Sequence, residues 1–101
     1  MNGTLPAGKA EIRSRAMLLL KFFEEIFRPL QLRNRSPAYQ AFFRSAINAL
    51  RKTLKRAPTL DDLNREAIQA VAENMAAGNL GVNRINQVHK HLVQLWRYAH
   101  H

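Results

Sequence analysis

A chain of 101 residues without cysteine has room for one modest hydrophobic core and cannot build a disulfide framework or a thiolate metal site. Sixteen Lys and Arg against seven Asp and Glu give a net charge of +9, a balance that bears on solubility and partners, not on fold. The longest apolar run, Ala16 to Leu20, falls far short of the roughly 20 residues of a membrane span, and the acids around it argue against a secretory leader, so a soluble cytoplasmic protein is expected.

Residues 1–8, with Gly3, Pro6 and Gly8, have no periodic pattern and read as a loose arm before a helical domain over 9–101. A first helix is expected over about residues 9–28. Ile12, Ala16, Leu19, Leu20, Phe23, Ile26 and Phe27 follow the spacing of one face, and Met17, Leu18 and Phe22 add apolar surface beyond one core contact. Pro29 should close it, because the residue before a proline avoids the α region. Ser36-Pro37 signals the next start, with Ser as N-cap and Pro at the first helical position. That second helix should reach about Arg56 before Pro58, with Tyr39, Phe42, Phe43, Ala46, Leu50 and Leu54 on its core side. Gln40, Arg44, Asn48, Arg51 and Lys55 gather on the other side, flanked by Lys52, as a basic stripe roughly 20 Å long.

Thr59 to Leu63 reads as a connector, with Asn64 capping a third helix through Ile68, Val71, Ala72 and Met75 to a stop at Gly78. Asn83 is then expected to cap a fourth helix. Its buried face would be Ile85, Val88, Leu92, Leu95, Trp96 and Ala99, and its outer face Asn83, Gln87, Lys90, Gln94 and Arg97. No strand pattern and no internal repeat is present.

All seven acids lie within 11–25 and 61–73, so the second and fourth helices contain none. Ordinary solvated helices mix both signs, often as i,i+4 pairs. Two acid-free helices that mix cations with amides match what phosphates and base edges select. The candidate DNA-binding residues are Gln40, Arg44, Asn48, Arg51, Lys52, Lys55 and Arg56 on the second helix, and Arg84, Gln87, Lys90, His91, Gln94 and Arg97 on the fourth.

Other chemistry is poorly represented. His89 and His91 are about 200° apart on a helix and cannot chelate one ion, and His100-His101 sit at a chain end like a tag remnant. Glu24-Glu25 and Asp61-Asp62 are adjacent and diverge by about 100° on a helix, and no Gly-rich phosphate loop is present. No metal, no cofactor and no catalytic residue is expected. Trp96 belongs to the core side, while Tyr98 is open between core edge, DNA sugar and domain interface.

From Ser36 onward the segments SPAYQAFFRSAINALRKTL, PTLDDLNREAIQAVAENM, AGNLGVNRIN and HKHLVQLWRYA resemble the core-binding domain of tyrosine recombinases, the N-terminal half of phage-type integrases. The resemblance rests on Ser36 and Tyr39 leading a helix, the Leu-x-Asp-Leu connector Leu60 to Leu63, Asn86 at a helix start, and the ending Leu92 to Ala99. Arg84 stands where that family usually has Thr. The resemblance implies an all-α, four-helix orthogonal bundle of the SAM-like type that clamps one face of double-stranded DNA through helices two and four. It also implies a catalytic domain of the same parent chain, absent here, and neighbouring protomers contacted through helix one. The expectation is thus a noncatalytic DNA-binding domain of an integrase or site-specific recombinase. The alternatives are a protein-interaction module using helix one, or a peripheral membrane binder. The membrane reading is weakened because the basic stripes lie opposite faces the core needs.

Overall fold

The structure, a computed structural model, describes residues 16–100. The expected arm, the first turns of helix one and His101 lie outside the described residues.

Four helices and no strand make up the described chain. α1 covers residues 19–31 as three continuous segments: an α turn Leu19–Phe22, a π turn Phe23–Phe27 and a second α turn Arg28–Gln31. Pro29 therefore does not close the helix, contrary to expectation. The π turn carries an extra residue, with the Arg28 N–H reaching back to the Phe23 carbonyl. Pro29 then falls in the opening turn of the next segment, where a missing N–H is tolerated. The helix ends two residues later, at Gln31.

α2 (Pro37–Leu54) starts as its sequence dictates: the Ser36 hydroxyl accepts a hydrogen bond from the Tyr39 N–H at 3.2 Å. It stops at Leu54, before Arg56, because Lys55 takes a left-handed conformation (φ 61°) that ends the helix. A short 3-10 turn, Leu60–Asp62, follows as a capping box in which the Asp62 carboxylate accepts from the Thr59 N–H and hydroxyl. Asn64 caps α3 (Arg65–Ala77) by accepting from the Ala67 N–H at 2.8 Å.

The stop after α3 falls at Gly78 as expected, but the left-handed residue is Asn79 (φ 62°). Asn79 N–H bonds Ala76 O, and Leu80 N–H bonds Met75 O, which together form the Schellman closure. α4 (Val82–Ala99) begins from Gly81, not from Asn83; Asn83 is already helical and exposed.

Every helix contributes to one core, and α4 packs along both α2 and α3. Phe23 of α1 stacks on Phe43 of α2 and Phe27 packs against it at a tilt, with ring centres 5.8 and 5.2 Å apart. Tyr98 lies edge-on to Phe27 at 5.3 Å and packs, half-buried, at the edge of the core. Three apolar expectations need correction. Phe22 is fully buried and is not surplus surface, whereas Leu20, expected inside, is 49% exposed. Phe42 is 40% exposed, and its place on the core side of α2 is taken by Ile47. A helix held between two neighbours buries a wider arc than a single stripe predicts.

Candidate nucleic-acid interface

The stripe on α2 does not stand opposite the core. Arg44, at its centre, follows the fully buried Phe43 by one residue, hence by about 100°. It therefore faces the flank where α1 packs. There Glu24 of the π turn takes the Arg44 fork, with Nε at 2.6 Å and Nη2 at 3.1 Å, and also accepts from Arg28 Nε at 3.0 Å. The Arg44 guanidinium also lies over the Phe23 ring. The hydrogen bonds from Arg44 are the main cause holding the Glu24 carboxyl below the usual range, and Glu24 in turn raises Arg44.

Arg56 is engaged in the same way: its two bonds to Asp62, at 3.1 and 2.6 Å, join the capping box to the end of α2. Burial works against the Asp62 charge, but the Thr59 N–H and Arg56 outweigh it and lower its pKa. Acids that the sequence sets apart from the basic segments thus fold back onto Arg28, Arg44 and Arg56.

Gln40 is occupied as well. Its amide donates to the Leu32 and Arg35 carbonyls, both at 3.2 Å, and closes the α1–α2 loop. On α4, His91 is 2% exposed and lies against the rings of Tyr39, Phe42 and Phe43. It is a core residue and cannot reach a ligand from there. Its Nδ1–H donates to the Gln87 carbonyl at 2.7 Å, leaving Nε2 buried without a partner; burial pushes its pKa below the ordinary imidazole value. Gln94 is half-buried, with its carbonyl oxygen enclosed and unpaired. His91 lies three residues after buried Val88 and four before buried Leu95, so helical spacing sets it on the core face, and Gln94 lies beside Leu95 at the edge of that face.

The remaining candidates split into two groups. Asn48 and Lys52 of α2 and Arg84 of α4 line one groove of about 540 Å³ with Ser45 and the end of α3 at Asn74 and Gly78. Among the described residues that line the groove, none is acidic. Arg84 and Gln87 continue this surface along α4 into a shallow cleft with Asn83, Asn86 and Lys90. Lys55 and Arg97 are exposed near the C-terminal ends of α2 and α4.

Arg51 lies on the other side of Asn48. It lines a smaller groove of about 280 Å³ with Leu18, Leu20, Ile47, Ala57 and Pro58, and its guanidinium donates twice to Asn48 Oδ1. Ser45, Asn74 and Asn86 join the surface although the sequence did not place them among the DNA-binding candidates. Asn74 belongs to the acid-bearing third helix, and only the close packing of its end against α2 and α4 brings it to the groove.

Among the described residues no helix is long and apolar enough to cross a membrane, and no group of three potential metal ligands is present. Comparison of this chain with known protein families, with curated proteins and with solved structures found no match.

Proposed function

We propose that this chain is a double-stranded-DNA-binding domain, with its interface along the α2–α4 groove. The observation that carries this reading is the groove itself: Lys52 and Arg84, from two acid-free helices, border one concave surface with Ser45, Asn48 and Asn74 and, among the described residues, no carboxylate. Cations neutralise phosphates, while amides and hydroxyls supply shorter-range hydrogen bonds to backbone or base edges. The sequence resemblance to the core-binding domain of tyrosine recombinases adds a biological setting: a noncatalytic, SAM-like domain that holds one face of the duplex while a catalytic domain of the parent protein holds the other.

A salt titration of duplex affinity tests it. With about six phosphates neutralised by Arg51, Lys52, Lys55, Arg84, Lys90 and Arg97, log K is expected to fall against log salt with a slope near −5. A slope near zero removes the proposal.

A second reading has its own observation. Leu18 and Leu20 are 47% and 49% exposed beside the smaller, apolar groove, which suits a partner protein or neighbouring protomer meeting α1. Self-association lost in Leu18→Glu, with no duplex binding at moderate salt, would favour that module.

A further inference from the structure

Within the DNA-binding reading, on which this inference rests, Asn48 and Arg51 are chemically more restricted than their sequence suggests. Asn48 Oδ1 accepts from Arg51 Nε at 3.1 Å and from Nη2 at 2.7 Å. The atom facing the guanidinium must be the oxygen, because Arg offers five donors and no acceptor. Both hydrogen bonds converge on one carbonyl oxygen, so the acceptor side of Asn48 is used up and its NH₂ remains. Arg51 keeps both Nη1 hydrogens and one on Nη2, still a fork, and Asn48 fixes the plane in which that fork lies. Among the described residues no carboxylate hydrogen-bonds to Arg51, unlike Arg44 and Arg56.

We infer that Asn48 and Arg51 form a donor-only unit that selects guanine on the duplex, with Arg51 reading the base and Asn48 positioning it. In the major groove guanine presents two acceptors, O6 and N7, which a guanidinium fork matches. Adenine presents an acceptor beside a donor, and an Asn side chain reads it only with its carbonyl free. The Asn48 carbonyl is not free. The unit also stands between the two grooves: half-buried Asn48 lines both, and exposed Arg51 lines the smaller one.

The test is selection of duplexes from a randomised pool by the purified domain, followed by sequencing of the retained fraction. The wild type is expected to enrich guanine at one position by roughly tenfold. Arg51→Lys keeps the charge and loses the fork, so its affinity for random duplex and its salt slope should persist while the guanine enrichment disappears. Asn48→Ala releases the fork and should cut the enrichment several-fold with little change in total retention. Both side chains lie outside the core, and thermal melts establish that the variants fold.

Several outcomes overturn the inference while leaving DNA binding intact: retention without base preference, adenine enrichment that depends on Asn48, or guanine enrichment unchanged in both variants. Failure to retain any duplex at low salt removes the DNA-binding reading and this inference with it.

Discussion

α2 has two flanks of similar composition and different electrostatic fate. On the flank against α1, Arg44 meets a carboxylate, Glu24, which also holds Arg28. On the flank towards α4 and the end of α3, Lys52 and Arg84 border a groove with no acid among its described lining residues. An arginine paired bidentately with a carboxylate offers a polyanion little net charge, and a phosphate must displace that partner before gaining anything. Composition alone does not mark an interface. Whether a neighbouring element brings a counter-charge decides which of two basic flanks is available.

The largest expected effect strikes both flanks together. Phe43 packs on Phe23 and Phe27 on the α1 side and meets the His91 ring 4.6 Å away on the α4 side. Phe43→Ala should cost about 3–5 kcal/mol in denaturant unfolding, as expected of a fully buried aromatic. A cost below about 1 kcal/mol would mean that the two flanks do not share this support.

The comparison itself is broken or kept by charge reversal. Lys52→Glu with Arg84→Glu should weaken duplex binding by about tenfold or more at moderate salt and flatten the salt slope. Arg44→Ala, which removes an already paired cation, should weaken it far less. Equal losses by fluorescence anisotropy would erase the distinction between the flanks.

Acidity sharpens the comparison. Burial is the main cause lowering the His91 pKa in the fold, aided by the charge of Lys90 and opposed by the hydrogen bond to Gln87. A base with a depressed folded pKa leaves stability untouched above its unfolded value, about 6.5, and removes it as pH falls below that. The loss should be at most about 1.4 kcal/mol per pH unit, one proton being linked. Glu24 and Asp62 also have lowered pKa values, but their contribution is present above the ordinary carboxylate range and is lost only on further acidification. Melting temperatures should therefore fall in two windows, with His91→Phe removing the upper one. An unchanged upper window in that variant would assign it elsewhere.

The smallest effect is the most direct comparison. Glu24→Gln frees Arg28 and Arg44, so duplex affinity should rise a few-fold while stability falls by about 1 kcal/mol or less, as for exposed ion pairs. Unchanged affinity, measured by the same anisotropy titration, would place the α1 flank away from the duplex altogether.

Local signals in the sequence acted where their partners lie within a few residues. Ser36 and Asn64 cap the helices they precede, and Gly78 marks the end of α3, because each such bond closes within a turn. The buried faces of α3 and α4 follow their periodicity for the same reason: Ile68, Val71 and Met75, and Val88, Leu92 and Leu95, are all buried. Four helices in one cysteine-free chain were legible on those grounds. The passage of α1 through Pro29 was not, since it depends on a π turn that pattern reading does not register.

What only the tertiary structure decided is the environment of each polar side chain. Separation along the chain suggested two acid-free helices, but Glu24 and Arg44, twenty residues apart, meet in space, and Asp62 returns to Arg56. His91 sits three residues after Val88 and four before Leu95, on the buried face of α4, and packing places it beneath three aromatic rings. Asn74 reaches the groove from a helix whose own charge pattern gave no sign of it. Helix formation is governed by neighbours three and four residues away, whereas a charge answers to whatever packing brings within a few ångströms, and that is a property of the folded chain alone.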